Sequence, residues 1–260
     1  MAQDLSIATE FMAKLSRSGS IDPLASSALT LVEDGRIRVA YAPFDHVATN
    51  AKLVIVGITP GLSQATVALA AAREHLAKGI IDLEEALRRA KLTASFSGAL
   101  RSNLVAMLDS IGVNSLFDLK TTADLFAPGA EQVHFTSALR YPVFVDGKNY
   151  NGTPDMLKTP ILRQMIDTHL AEEAALLPKA LWLPLGPKAE MALQHLASRG
   201  LLEKSRILAG LPHPSGANGE RIAIFLGKKD ANQASRQTRP APLLAAYKTL
   251  RNQISTLKGR

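Results

Sequence analysis

Apolar and polar residues follow two rhythms along this chain. Residues 52–56 (KLVIV) form a continuous, β-branched apolar run, the pattern of a strand buried on both faces. Similar runs at 132–137, 180–185 and 206–209 predict three more central strands. Residues 36–41 (RIRVAY) alternate, the signature of a half-buried strand. Between these runs the apolar spacing is helical. Ile7, Phe11, Met12 and Leu15 share one face, and Leu100, Leu104, Met107, Leu108 and Ile111 share another. Helices are further predicted over 22–31, 63–77, 82–89, 121–125, 160–177, 189–197, 219–226 and 243–257, with Asp82 as an N-cap. Strands alternating with helices predict an α/β protein. The expected form is a three-layer α/β/α sandwich around a central, mostly parallel four-stranded sheet.

The 260 residues suit one such domain, and 47% hydrophobic content fills its core. The domain is expected to carry an N-terminal helical extension (1–35), a helical insertion (62–94) and a basic C-terminal helix (240–260). The stretch 228–242 is polar and reads as a mobile connection. No Cys is present, which excludes disulfides, iron–sulfur clusters and a thiol nucleophile. The six His show no metal-ligand spacing, so neither a metal nor another cofactor is expected. No run is long enough to cross a bilayer and no leader pattern opens the chain, so a cytoplasmic protein is expected. The formal charge is +7 and the pI about 9.7. From Arg221 onward nine Lys and Arg face Asp230 alone, which points to a polyanionic partner, nucleic acid first. Nothing in the sequence fixes the oligomeric state.

Two loops leave the ends of predicted strands: Gly57-Ile58-Thr59-Pro60-Gly61 and His213-Pro214-Ser215-Gly216-Ala217-Asn218. In a parallel sheet such loops meet at one edge. The first turns tightly and ends at a helix N-terminus, where anions are favoured. The second presents an imidazole, a hydroxyl and a glycine. His134 and Trp182 fall in mid-strand and read as core residues.

GITPG and HPSGAN, in this order, resemble the two signature motifs of the uracil-DNA glycosylase superfamily. Three further segments resemble it as well: 95–113 (SFSGALRSNLVAMLDSIGV), 135–141 (FTSALRY) and 180–193 (ALWLPLGPKAEMAL). Together the five cover roughly residues 50–225. The resemblance implies a monofunctional DNA glycosylase that flips a nucleotide out of DNA and hydrolyses its N-glycosidic bond. His213 would donate to the base oxygen, and Phe96 would stack on the base. Gly57 and Ile58 would line the base pocket, while Pro60, Gly61, Ser215, Gly216 and Asn218 would hold the DNA backbone.

The sequence also departs from the pattern. Thr59 stands where efficient uracil enzymes carry Asp or Asn, so its hydroxyl would position water. Ser137 replaces the base-reading Asn, which leaves room for a larger base. Asp45 and Asp146 are the acids near enough to replace the missing carboxylate. Asp146 shares its loop with Lys148, Asn149 and Tyr150, and Asn149 is a candidate base contact. The expected roles are repair of deaminated bases or defence against phages with modified DNA. The alternatives are a lesion- or abasic-site-binding relative with weak catalysis, and an unrelated α/β enzyme binding a small phosphate compound.

Overall fold

In the computed structural model of the protein, residues 3–17, 21–77, 82–95, 99–127 and 130–258 are described. Helix α1 (Ser6–Arg17) buries Phe11, Met12 and Leu15, as their spacing requires. The helix expected over 22–31 does not form. Only a 3-10 turn, Ser27–Leu29, precedes strand β1 (Thr30–Asp34), which turns at Gly35 into antiparallel β2 (Ile37–Ala40). The guanidinium of Arg38 donates to the carbonyls of Leu24 (2.7 Å) and Ser26 (2.8 Å), holding 24–26 against β2. Local propensity yields to these cross-strand bonds.

Strand β3 (Leu53–Gly57) follows and is buried throughout. Its residues face two cores in turn. Leu53 and Ile55 enter one with Leu104, Met107 and Phe225; Val54 and Val56 enter the other with Leu69, Leu87 and Leu193. Next come α2 (Leu62–Ala77), α3 (Leu83–Ala94), α4 (Ala99–Ser110) and α5 (Val113–Leu116). Asp82 caps α3 as expected, its carboxylate accepting from the Glu85 amide at 2.9 Å. After a 3-10 turn, Thr122–Phe126, the chain enters β4 (Val133–Ser137).

Residues 146–152, expected as a loop, instead belong to a hairpin. Strand β5 (Val143–Val145) turns at Asp146 (φ 50°) and Gly147 (φ 71°) into β6 (Lys148–Asn149). Asp-Gly with two positive φ angles is the turn whose twist suits a two-residue hairpin. Strands β1, β2, β5 and β6 make a four-stranded antiparallel sheet. Helices α6 (Pro160–Met165) and α7 (Ala171–Leu176) are continuous through a π-helical turn. Strand β7 (Leu181–Pro184), α8 (Pro187–Ser198), α9 (Gly219–Phe225) and α10 (Pro240–Lys258) complete the order.

The parallel sheet has three strands, ordered β4-β3-β7, with helices on both faces. The expected fourth strand at 206–209 is reduced to one parallel bridge, Trp182 to Ile207, with the Leu208 amide donating to the Trp182 carbonyl at 2.8 Å. A 3-10 turn over Lys204–Arg206 and Gly210 at φ 107° leave too few extended residues between them to build a strand. Trp182 and His134 are buried core residues, as expected. The polar stretch 228–242 is tied to α9: the Glu220 carboxylate accepts from the Lys229 ammonium (2.7 Å) and the Ser235 amide (3.0 Å). Among the described residues, no helix is long and apolar enough to cross a membrane.

Ile55 sits fully buried at the centre of the parallel sheet. Ile55→Ala is expected to cost about 2–5 kcal/mol of unfolding free energy, read from the shift in denaturant midpoint; a loss under about 1 kcal/mol would place the core elsewhere.

Candidate functional site

The three parallel strands end level with one another. Gly57 pairs with Ser137, and Val56 with Pro184. Hydrogen bonding then continues past the strands. The amides of Ala138 and Leu139 donate to the carbonyls of Gly57 and Ile58, each at 2.9 Å, and the Leu185 amide donates to Val56 at 2.8 Å. The Gly186 amide donates to the Leu211 carbonyl at 3.0 Å, which brings the 213–218 loop alongside. Gly186 has φ +88°, and a Cβ there would lie 3.6 Å from that of His213. Side-chain bonds brace the second loop: the Asn103 amide donates to the Pro214 carbonyl (2.9 Å), and Asn218 to the Ser215 hydroxyl (3.2 Å).

These loops enclose a cavity of about 530 Å³. Gly57, Ile58, Thr59, Pro60, Ser137, His213, Ser215 and Asn218 all line it, so the structure brings these eight expected residues together. Four others stand apart. Asp146 occupies the exposed tip of the β5–β6 hairpin, paired with Arg36 at 3.0 Å, and does not reach the cavity. The Asn149 side chain accepts from the Leu62 amide at 2.8 Å and lies against Gly61. It caps α2 instead of reading a ligand. The Gly61 amide is likewise taken by the Gln64 side chain at 3.2 Å, so the start of α2 offers an anion little. Gly216 is exposed in the turn below His213. Phe96 lies outside the described residues; Phe44 and Phe135 are aromatic residues that do line the cavity.

Thr59 has another task. Its hydroxyl donates to the Tyr141 carbonyl (2.9 Å) and accepts from the Val143 amide (3.2 Å). It fastens the first loop to β5 and has little hydrogen-bonding capacity left for water. Asp45 is buried away from the cavity, accepting from the hydroxyls of Tyr41 (3.0 Å) and Tyr141 (2.6 Å), and burial raises its pKa.

His213 is half-buried, and burial lowers its pKa, so its imidazole is neutral at neutral pH. The Ser215 amide donates to Nδ1 at 3.2 Å, which assigns the proton to Nε2. The cavity therefore contains a neutral imidazole with a donor to offer.

No carboxylate lines the cavity, whereas Lys91, Arg140 and Lys188 do. Behind the wall lies a buried ionic network. Arg140 donates through Nε to Glu173 (2.9 Å) and through Nη2 to Glu172 (3.0 Å) and the His169 carbonyl (3.0 Å). The Ala48 amide donates to Nδ1 of His134 (3.4 Å), and Nε2 of His134 donates to Glu173 at 3.1 Å. Burial works to raise the Glu173 pKa, but Arg140 and His134 hold it far below the usual carboxylate range. Lys91 donates to the carbonyls of Phe44 (2.9 Å) and His46 (2.7 Å), and burial lowers its pKa to about 8. A site with cations, a neutral imidazole donor and no acid is built to stabilise negative charge.

Lys91, Lys188 and Gln64 were not expected at the cavity. Lys188 had a signal: it follows the Gly186-Pro187 break after β7, at the third strand end of the parallel sheet. Lys91 had none, since it lies on a helix in an amphipathic pattern with no charge run.

The Bacillus subtilis (strain 168) protein YoxB, described as uncharacterized, is 37% identical over 227 residues, covering 86% of this chain and 88% of its own. The chain belongs to the YoxB family. No family model and no solved structure matches it. The match to YoxB is broad enough to take in most of the chain, so the two proteins share more than an isolated motif.

Burial holds His46 to about 3 and His134 and His169 to about 4, all neutral in the fold. The unfolded chain takes up these protons near pH 6.5, so stability is present above that pH and is lost as pH falls toward 4. Asp45, with its raised pKa, acts in the opposite direction, one group against three. The melting temperature is expected to drop steeply between pH 6.5 and 4; a flat profile there would contradict the buried-neutral assignment.

Proposed function

We propose that the protein is a DNA glycosylase resembling the uracil-DNA glycosylase superfamily, hydrolysing the N-glycosidic bond of a flipped-out base. The three-layer sandwich of that superfamily is part of this reading. The observation that carries it is the meeting of Gly57–Pro60 and His213–Asn218 around one cavity with a neutral, Nε2-protonated His213.

The chemistry follows from charge. As the bond breaks, the sugar becomes cationic and the departing base anionic. Nε2 of His213 donates to the base oxygen, and the cationic wall of Lys91, Arg140 and Lys188 favours the same negative charge. The neutral imidazole donates without first having to lose a proton. With Ser137 where an amide would read uracil, and about 530 Å³ of space, the cavity favours a bulkier or modified base. DNA is the partner, and the role is repair or defence against phages with modified DNA.

One observation favours a second reading. No carboxylate lines the cavity to activate water, and the Thr59 hydroxyl is engaged by the main chain. A lesion- or abasic-site-binding protein with weak turnover fits that wall.

Both readings meet in one assay: release of free base from DNAs containing uracil, hypoxanthine, xanthine, hydroxymethyluracil or phage-modified bases. The first predicts release from at least one, leaving an alkali-labile abasic site. His213→Ala is then expected to slow release by about 10²–10³-fold, the loss of one oxyanion donor. Salt-sensitive binding with no release on the whole panel would favour the second.

A further inference from the structure

A second cavity, of about 510 Å³, lies on the other side of Ser95 and Phe135, which line both. Its walls come from the helical insertion and from α4. Arg88 and Arg89 project from α3, and Arg101 from α4. No residue lining it is acidic. One carboxylate, Glu85, serves two of these guanidiniums: it accepts from Arg88 at 2.6 and 2.8 Å and from Arg89 at 2.6 Å. Arg101 is a third cation. Its guanidinium stands 5.4 Å from the ring centre of Phe126, which in turn stacks at 5.1 Å on Phe135.

The arrangement pairs cations with an aromatic–guanidinium stack. A phosphate finds charge at Arg88 and Arg89, and a base finds a π-face at Arg101, supported from below by Phe126. Cationic walls interleaved with stacking surfaces are how proteins hold single-stranded nucleic acid without reading its sequence. A free nucleotide would satisfy the same chemistry, but the shared wall favours a strand. A ligand bridging Ser95 and Phe135 occupies both cavities at once, as consecutive nucleotides do.

The geometry points to a second nucleotide subsite formed by Arg88, Arg89, Arg101 and Phe126, which takes the nucleotide next to the one entering the first cavity. This rests on the proposed function in that the first cavity must hold a base. The insertion thereby becomes part of the nucleic-acid surface. It extends the binding site along the strand and confers a preference for single-stranded or locally opened DNA.

The test is binding of a fluorescein-labelled single-stranded DNA pentamer with a central deoxyuridine, followed by anisotropy across a salt series, alongside competition by deoxyuridine 5′-monophosphate. For Arg89→Gln/Arg101→Gln, pentamer affinity is expected to fall roughly tenfold, and the log–log salt slope to shrink by about 1.4, two phosphates at about 0.7 each. Competition by the mononucleotide should be unchanged. Arg89→Lys/Arg101→Lys should keep the slope, which separates lost charge from lost fold. Unchanged pentamer affinity and slope would overturn the subsite, as would a wild-type protein that binds no pentamer. Equal weakening of the mononucleotide would also overturn it, in favour of a free-nucleotide site. Binding is read without turnover, so slope loss in a protein that releases no base supports the subsite and counts against the glycosylase reading alone.

Discussion

The level ending of three parallel strands is the constraint on which the rest depends. Because Gly57 pairs with Ser137 and Val56 with Pro184, the loops that follow β3, β4 and β7 leave the sheet at one height. Their main chains stay stitched for another residue or two, and the Gly186–Leu211 bond draws in the fourth loop. The cavity is the space these loops cannot fill. Both faces of β3 are covered by helices, so this edge is where a ligand meets the ends of the buried strands.

The cavity wall is fixed from behind by charge. Arg140 follows β4 directly, and its guanidinium is clamped by Glu173 and Glu172 from the α6–α7 segment. Glu173 also takes the proton donor of His134. A buried pair of this kind adds little net stability against apolar residues of equal size, but removing one partner strands the other. Its effect here is positional: it holds cationic groups at the wall while balancing their charge. The Thr59 hydroxyl acts in the same way on the opposite side, locking the first loop to the antiparallel sheet.

Much of this was legible in the sequence. The continuous apolar runs at 52–56, 132–137 and 180–185 became the parallel strands, because burial on both faces imposes that pattern. The two loops at their ends met as expected. What was not legible depended on distant partners. Residues 22–31 have a helical spacing, but β2 and Arg38 hold them extended. The run at 206–209 is strand-like, yet the turn before it and Gly210 after it cut its pairing to one bridge. The Asp146-Gly147 hairpin did carry a local signal, and missing it put Asp146 at the cavity when it lies at an exposed tip. Lys91 reached the wall through tertiary packing alone.

The central claim is that this cavity takes a rotated base against Nε2 of His213. The most direct test is a crystal structure of the protein with single-stranded DNA carrying a non-cleavable 2′-fluoro nucleotide of the base that binds best. The account predicts that base inside the cavity, between Gly57–Pro60 and His213–Asn218, with a ring oxygen at hydrogen-bond distance from Nε2. A base left outside the cavity, or a strand bound to another face of the protein, would contradict it.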